Sequence, residues 1–217
     1  MSDAAARLHG LHVLADDDPR WRHDPVAVAR AACAGGAAVV QLRAKHATDG
    51  ETLRLAEAIR ALTREAGALL FVNDRFDLAL AAEADGVHLG QADLPPGRLP
   101  EAARRALLVG RSTHTEEQAR NAKDEPVDYV AFGPVFGTGS KASEYDARGL
   151  PMLARAAALA APRPLVAIGG IDAGTAAEVR RAGAAAVAVI SAVAHAADPE
   201  AATRALVTAF ARAEGTA

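Results

Sequence analysis

The sequence predicts a single α/β domain folded as a (β/α)8 barrel, the TIM-barrel architecture, with the barrel proper over about residues 11–210 of 217. Three observations predict it. Eight short apolar runs alternate with helix-length amphipathic stretches. The runs are apolar at nearly every position, as parallel strands buried on both faces must be. No Gly-rich turn follows the first run, where an open doubly wound sheet would place one.

The strands are expected at 11–15, 38–42, 69–72, 86–89, 107–110, 129–132, 165–168 and 186–190. Helix starts between them are marked chemically. Thr48–Glu51 and Thr115–Gln118 have the spacing of capping boxes, in which each end residue satisfies the other's orphan amide. Asp24-Pro25 and Asp198-Pro199 each place a capping carboxylate before a proline at the first helical position. After Thr48, Leu53, Ala56, Ile59 and Leu62 recur at helical spacing, which turns Arg54, Glu57, Arg60 and Arg64 mostly to solvent. Gly67 and Gly183 stand where helices stop before the next strand.

Hydrophobic residues make up 51% and aromatics 4%, so a core of Ala, Leu and Val without bulky rings is expected. The net charge of −3 gives no general attraction to nucleic acid or anionic membranes, and any anion must be held by local chemistry. The lone Cys33 excludes an internal disulfide and suits helix packing. Neither a signal peptide nor a membrane-spanning run is seen, so a soluble cytoplasmic protein is expected.

In a barrel of this kind, function sits in the loops that follow the strands. After strand 2, alternation puts Gln41, Arg43 and Lys45 on one side, at the barrel mouth. Two cations there call for an anionic ligand or for carboxylates from neighbouring strands. Strand 3 ends in Asn73-Asp74-Arg75, and strand 4 leads to Asp93. These carboxylates follow adjacent strands and could share one Mg²⁺ ion with phosphate and water, or act as a helix cap and a turn residue. Strand 5 offers Ser112 and His114, the latter for proton transfer or as a hydrogen-bonded scaffold residue. The long loop after strand 6 carries Thr138, Gly139, Ser140 and Lys141, a composition suited to closing over phosphate. Gly169-Gly170 after strand 7 and Ile190-Ser191 after strand 8 occupy the recurrent phosphate position of this fold.

The set QLRAK at 41–45, VNDR at 72–75, ADGVHLGQADLP at 84–95, STHT at 112–115, GPVFGTGSK at 133–141, AIGGI at 167–171 and VISA at 189–192 resembles the thiamine-phosphate synthase family, from about Leu11 to Phe210. The resemblance implies joining of a pyrimidine methyl diphosphate to a thiazole phosphate, with or without its carboxylate, and release of diphosphate. Carried over by position, Gln41 contacts the aminopyrimidine. Arg43, Lys45, Asn73, Ser112 and Lys141 hold the diphosphate, with Arg43, Lys45, Lys141 and Ser112 acting in catalysis. Asp74 and Asp93 bind Mg²⁺, while Thr138, Gly139, Ser140, Gly170, Ile190 and Ser191 hold the thiazole phosphate. The first strand departs from the family's usual Leu-Tyr-x-x-Thr-Asp, reading Leu-His-Val-Leu-Ala-Asp from Leu11.

Two other readings compete. A thiazole tautomerase of the same superfamily would use His114 as acid and base, and a non-catalytic barrel would only bind thiamine precursors. The diphosphate clamp of Arg43, Lys45, Asp74, Asp93 and Lys141 favours the synthase, because a tautomerase needs none. The expected partners are small phosphorylated substrates, with neither nucleic acid nor membrane; a homo-oligomer is compatible with the sequence.

Overall fold

The computed structural model describes residues 7–140 and 145–212. Eight parallel strands close into a barrel in chain order, with β1 pairing with both β2 and β8. They are β1 (Gly10–Asp16), β2 (Val39–Arg43), β3 (Leu69–Asn73), β4 (Gly86–Leu89), β5 (Leu108–Thr113), β6 (Tyr129–Phe132), β7 (Leu165–Ile168) and β8 (Ala186–Val189). All eight expected strands are present. β1, β2, β3 and β5 run one to three residues further toward the mouth than apolarity alone suggests. The added residues, Asp16, Arg43, Asn73 and the stretch 111–113, are polar or charged, and backbone pairing continues there after the apolar run has ended.

The helices are α1 (Pro25–Ala34), α2 (Asp49–Ala66), α3 (Phe76–Ala81), α4 (Glu101–Ala106), α5 (Glu116–Ala122), α6 (Gly149–Ala160), α7 (Ala176–Arg181), α8 (Ser191–Ala194) and α9 (Pro199–Ala211). Asp24 caps α1 through the Ala27 amide at 2.9 Å, and Asp198 caps α9 through the Ala201 amide at 2.9 Å. The Thr48–Glu51 capping box is complete. The second expected box is half formed: Thr115 accepts from the Gln118 amide, but the Gln118 side chain accepts from the His114 amide at 2.7 Å. That one-residue shift ties the end of β5 to α5. On α2, Ala56 and Ile59 are buried as expected, but Arg60 does not face solvent. It pairs at 2.5 Å with Asp85, which also accepts from the Leu70 amide at 2.8 Å.

Two apolar layers follow from the pleat, which sends alternate side chains to opposite faces. An outer layer lies between strands and helices, and an inner one fills the barrel. The inner layer corrects the expectation of a core without rings. Phe71 and Tyr129 are fully buried there, 5.6 Å apart and edge to face. Their neighbours make the space: a Cβ on Gly86 would overlap the Phe71 ring, and one on Gly110 would overlap that of Tyr129. Few aromatics are needed because two rings, set opposite glycines, fill much of the interior. Cys33 is half-buried against the outer layer, and burial pushes its thiol up to about 11.

Candidate active site

The ends of β1 and β2 lie side by side, with Asp16 in register with Arg43. Arg43 pairs with the buried Asp16 carboxylate at 2.5 Å. Asp16 also accepts from Trp21 Nε1 at 2.7 Å and from the Asp18 amide at 3.0 Å. Burial alone would raise the Asp16 pKa; hydrogen bonds from Trp21 and Arg43 outweigh it and hold the carboxyl below its ordinary range. The carboxylate alternative for Arg43 is thus realised, and Asp16 orients a guanidinium that still reaches partial exposure. Asp17 acts on the backbone, accepting from the amides of Lys45, His46 and Ala47 at 2.8, 2.9 and 2.8 Å. This fixes the loop from which the Lys45 ammonium reaches the Asp74 carboxylate.

Asp74 follows β3 with a φ of 64°, left-handed backbone that few non-glycine residues adopt. Its amide donates to the His88 carbonyl at 2.8 Å. The turn aims its side chain at Lys45 and at Asp93, so it is not the helix cap that the sequence left open. Asp93 accepts from the Gly90 amide at 2.6 Å, which closes the turn after β4. Burial opposes ionisation of Asp74, yet Lys45 and the hydrogen bond with Asp93 leave its pKa below the ordinary value. Asp93 moves the other way, raised by burial and then by Asp74. Two carboxylates this close both ionise readily only if a cation joins them. Among the described residues no group of three or more His, Cys, Asp or Glu could hold a metal by itself. A two-carboxylate donor set fits Mg²⁺ completed by phosphate and water.

Ser112, at the end of β5, belongs to a chain of polar groups that the sequence did not reveal. Tyr129 Oη lies 2.8 Å from His88 Nδ1, and His88 Nε2 lies 2.7 Å from Ser112 Oγ. Burial pushes the Tyr129 hydroxyl far up, so it stays a phenol. Each imidazole nitrogen of His88 thus meets one hydroxyl, which fixes Ser112 Oγ at the cavity wall. His12 lies below, edge to face with Tyr129 at 5.8 Å and 2.8 Å from the Leu8 carbonyl through Nε2. Burial lowers its pKa to about 4, so this departure from the family's tyrosine adds a neutral polar ring. Gln41 is buried, with Oε1 lacking a partner. An unpaired buried amide oxygen costs about 1–3 kcal/mol, a cost that a donor on a ligand would relieve.

The opposite side of the mouth is built from backbone. The loop after β6 is fastened to β7 by Val135 N to Ile168 O and Phe136 N to Gly169 O, both at 2.9 Å. Gly169 and Gly170 have φ of 103° and 66°, and a Cβ on either would lie 2.6 Å from Pro134 Cα or from Gly137 O. These glycines therefore seat the loop as well as leaving amides accessible. Thr138, Ser140, Gly170, Ile190 and Ser191 line the cavity together with Gln41 and Ser112. Gly139 lies beside them in the same loop, exposed. Lys141 lies outside the described residues. His114 also lines the cavity, with Nδ1 2.7 Å from the Gly133 carbonyl and its ring stacked on Tyr145 at 4.4 Å. Nδ1 must carry a proton to donate there, which favours the scaffold reading of His114 over the acid–base one.

The predicted residues thus form two groups on one mouth. Arg43, Lys45, Asn73, Asp74 and Asp93 stand at the ends of β2 to β4, outside the enclosed cavity. The rest of those described line the cavity or its loop. Asp16, Asp17, Trp21, His88 and Tyr129 were missed as positioning residues. The run Asp16-Asp17-Asp18 at a strand end was the available signal, because three carboxylates there need donors.

Comparison with known proteins identifies the family. A family model described as thiamine monophosphate synthase matches residues 11–193. The chain is 51% identical to the thiamine-phosphate synthase of Anaeromyxobacter dehalogenans, over 94% of this chain and 89% of that protein. It is 46% identical to that of Methanoculleus marisnigri, over 95% and 99%. Among solved structures, it is similar to the thiamine phosphate pyrophosphorylase from Pyrococcus furiosus, with a TM-score of 0.86 and 36% identity over 98% of this chain and 100% of that one. A geranylgeranylglyceryl phosphate synthase from Thermoplasma acidophilum, at 15% identity and a TM-score of 0.71 over 97% of this chain and 98% of that one, shares the barrel alone.

Proposed function

The chain belongs to the thiamine monophosphate synthase family and is a transferase of thiamine biosynthesis, and from that premise we propose how its mouth works. The substrates are a 4-amino-pyrimidine methyl diphosphate and a hydroxyethylthiazole phosphate, which are joined as thiamine phosphate with release of diphosphate. The observation that carries this assignment is the division of the mouth. Cations and paired carboxylates stand at β2 to β4, and among the described residues a surface of loop hydroxyls and glycines stands at β6 to β8. The first suits a diphosphate, the second a monoester.

In the reaction, the bond from the pyrimidine methylene to the diphosphate oxygen breaks, and its electron pair leaves with the diphosphate. The thiazole nitrogen then supplies the pair for the new carbon–nitrogen bond. Arg43, Lys45, Asn73 and Ser112, with Lys141 by resemblance, stabilise the charge that grows on the leaving group. Charge-directed donors of this kind each contribute about 2.7–4 kcal/mol when removed from comparable sites. Asp74 and Asp93 would hold Mg²⁺, which supplies further neutralisation of the diphosphate when bound. Gln41 Oε1 accepts from the pyrimidine amino group. Thr138, Gly139, Ser140, Gly170, Ile190 and Ser191 place the thiazole phosphate, and so bring its nitrogen to the carbon. No general base is required, which agrees with the scaffold setting of His114.

No helix among the described residues is long and apolar enough to cross a membrane. A cytoplasmic setting is part of the proposal, since both substrates carry phosphate and do not cross bilayers unaided. The test is a coupling assay in which thiamine phosphate is oxidised to fluorescent thiochrome. Magnesium-dependent turnover supports the reading. Folded protein that gives no product overturns it and returns attention to isomerisation of a thiazole phosphate at His114.

A further inference from the structure

The loop after β6 is tied at its base to β7, but a second tie reaches it from across the mouth. Arg20, in the loop between β1 and α1, donates from Nη1 to the Gly139 carbonyl at 2.9 Å and from Nη2 to the Ser140 carbonyl at 2.6 Å. Its Nε lies 3.2 Å from Asp18, so each nitrogen of the guanidinium has a partner. The group also stacks over Trp21 at 4.5 Å, and Trp21 packs edge to face on His195 at 4.8 Å. Trp21 in turn donates to Asp16, the carboxylate that holds Arg43.

We propose that Arg20 is a positioning residue for the thiazole-phosphate side, holding Gly139 and Ser140 over the cavity through a fork onto their carbonyls. The inference rests on the functional reading above. Counting around the barrel, β6 and β1 are separated by β7 and β8, which are followed by Gly170 and Ser191. A tie from the β1 loop to the β6 loop therefore bridges the phosphate side and lies away from the Asp74–Asp93 side. A planar guanidinium spans two successive carbonyls without rearrangement, whereas an ammonium is a point donor. Its two terminal nitrogens each donate to a loop carbonyl and Nε faces Asp18, so Arg20 acts through the loop's backbone. Its charge-assisted bonds hold main-chain atoms, so the loop's own side chains stay available for ligand.

The experiment compares wild type, Arg20→Ala and Arg20→Lys by steady-state kinetics and by amide hydrogen exchange of peptides covering 134–140. Arg20→Ala is expected to raise KM for the thiazole phosphate about tenfold, as loss of one strong hydrogen bond does, with KM for the pyrimidine diphosphate within about twofold of wild type. Exchange at 137–140 should quicken several-fold with an unchanged melting temperature. Arg20→Lys should resemble Arg20→Ala; full rescue would show that charge and not the fork matters, and would overturn the proposal. Equal rises in both KM values would overturn it as well. If wild type forms no thiamine phosphate, the functional reading falls, while the exchange comparison still decides the tie: unchanged rates in Arg20→Ala would refute it.

Discussion

The two sides of the mouth, to which we assign the two anionic substrates, are built from different materials. At β2 to β4 the work is done by side chains that already hold one another: Arg43 with Asp16, Lys45 with Asp74, Asp74 with Asp93. At β6 to β8 it is done by glycines, hydroxyls and a loop laced to the next strand. The first arrangement keeps strong charges compensated until ligand arrives, and part of that pairing must be exchanged on binding. The second has little to rearrange, but tolerates no added carbon at Gly133, Gly169 or Gly170. Charge is adjustable and shape is not, so substitutions on the two sides should fail in different ways.

The largest effect is expected at Asp93. Asp93→Asn can still accept from the Gly90 amide, so the turn persists while the charge is lost. Turnover should fall about a hundredfold or more, within the range for removing one electrostatic stabiliser, and the magnesium concentration for half-activation should rise. An unchanged magnesium response would break the assignment of the charged side. Next comes Gly169→Ala. At a φ of 103° with Pro134 Cα 2.6 Å from the new Cβ, the alanine is both strained and crowded. A loss of about 2 kcal/mol or more is expected in denaturant unfolding, with KM for the thiazole phosphate rising more than that for the diphosphate. A stable variant with normal KM values would mean that the loop is not seated as described.

Ser112→Ala lies between the two sides and should have an intermediate effect. The change removes one ligand donor and the hydroxyl 2.7 Å from His88 Nε2. A roughly tenfold fall in kcat is expected, the scale of one hydrogen bond to a charged group. A change confined to KM for the thiazole phosphate would move Ser112 to the other side of the comparison.

The barrel was legible because burial on both faces writes itself as continuous apolar runs, and the capping residues at Asp24, Thr48 and Asp198 are local signals read locally. The placement of Gly170, Ile190 and Ser191 on the cavity was legible for a related reason: they follow strands 7 and 8, where this fold repeatedly binds phosphate. The charged side was legible as residue types but not as partners. Asp16 and Arg43 are 27 positions apart, and only strand register brings them together. The Tyr129–His88–Ser112 chain was hidden more deeply, since three strands supply one member each and every member resembles an ordinary core or turn residue alone. Arg60 misled because helical spacing describes the helix's own faces and says nothing of a carboxylate arriving from the next unit.

The smallest effect at working pH belongs to the floor that both sides share. His12 is neutral in the fold, its pKa lowered by burial from 6.5 to about 4. Above 6.5 neither state binds the proton, and replacing the residue should leave the pH dependence of stability unchanged. As pH falls from 6.5 toward about 4, the unfolded chain takes up a proton that the native ring refuses, so this group makes stability fall with pH. Spread over that window, the loss amounts to about 3 kcal/mol, and below about 4 it stops growing. His12→Gln should therefore flatten the unfolding free energy between pH 6.5 and about 4 relative to wild type, while leaving kcat near pH 8 within about twofold. Parallel pH profiles for the two proteins would show that the ring gains a proton in place. In that case the floor is electrically coupled to the mouth, and the separation between a charged side and a neutral one would need to include what lies beneath them.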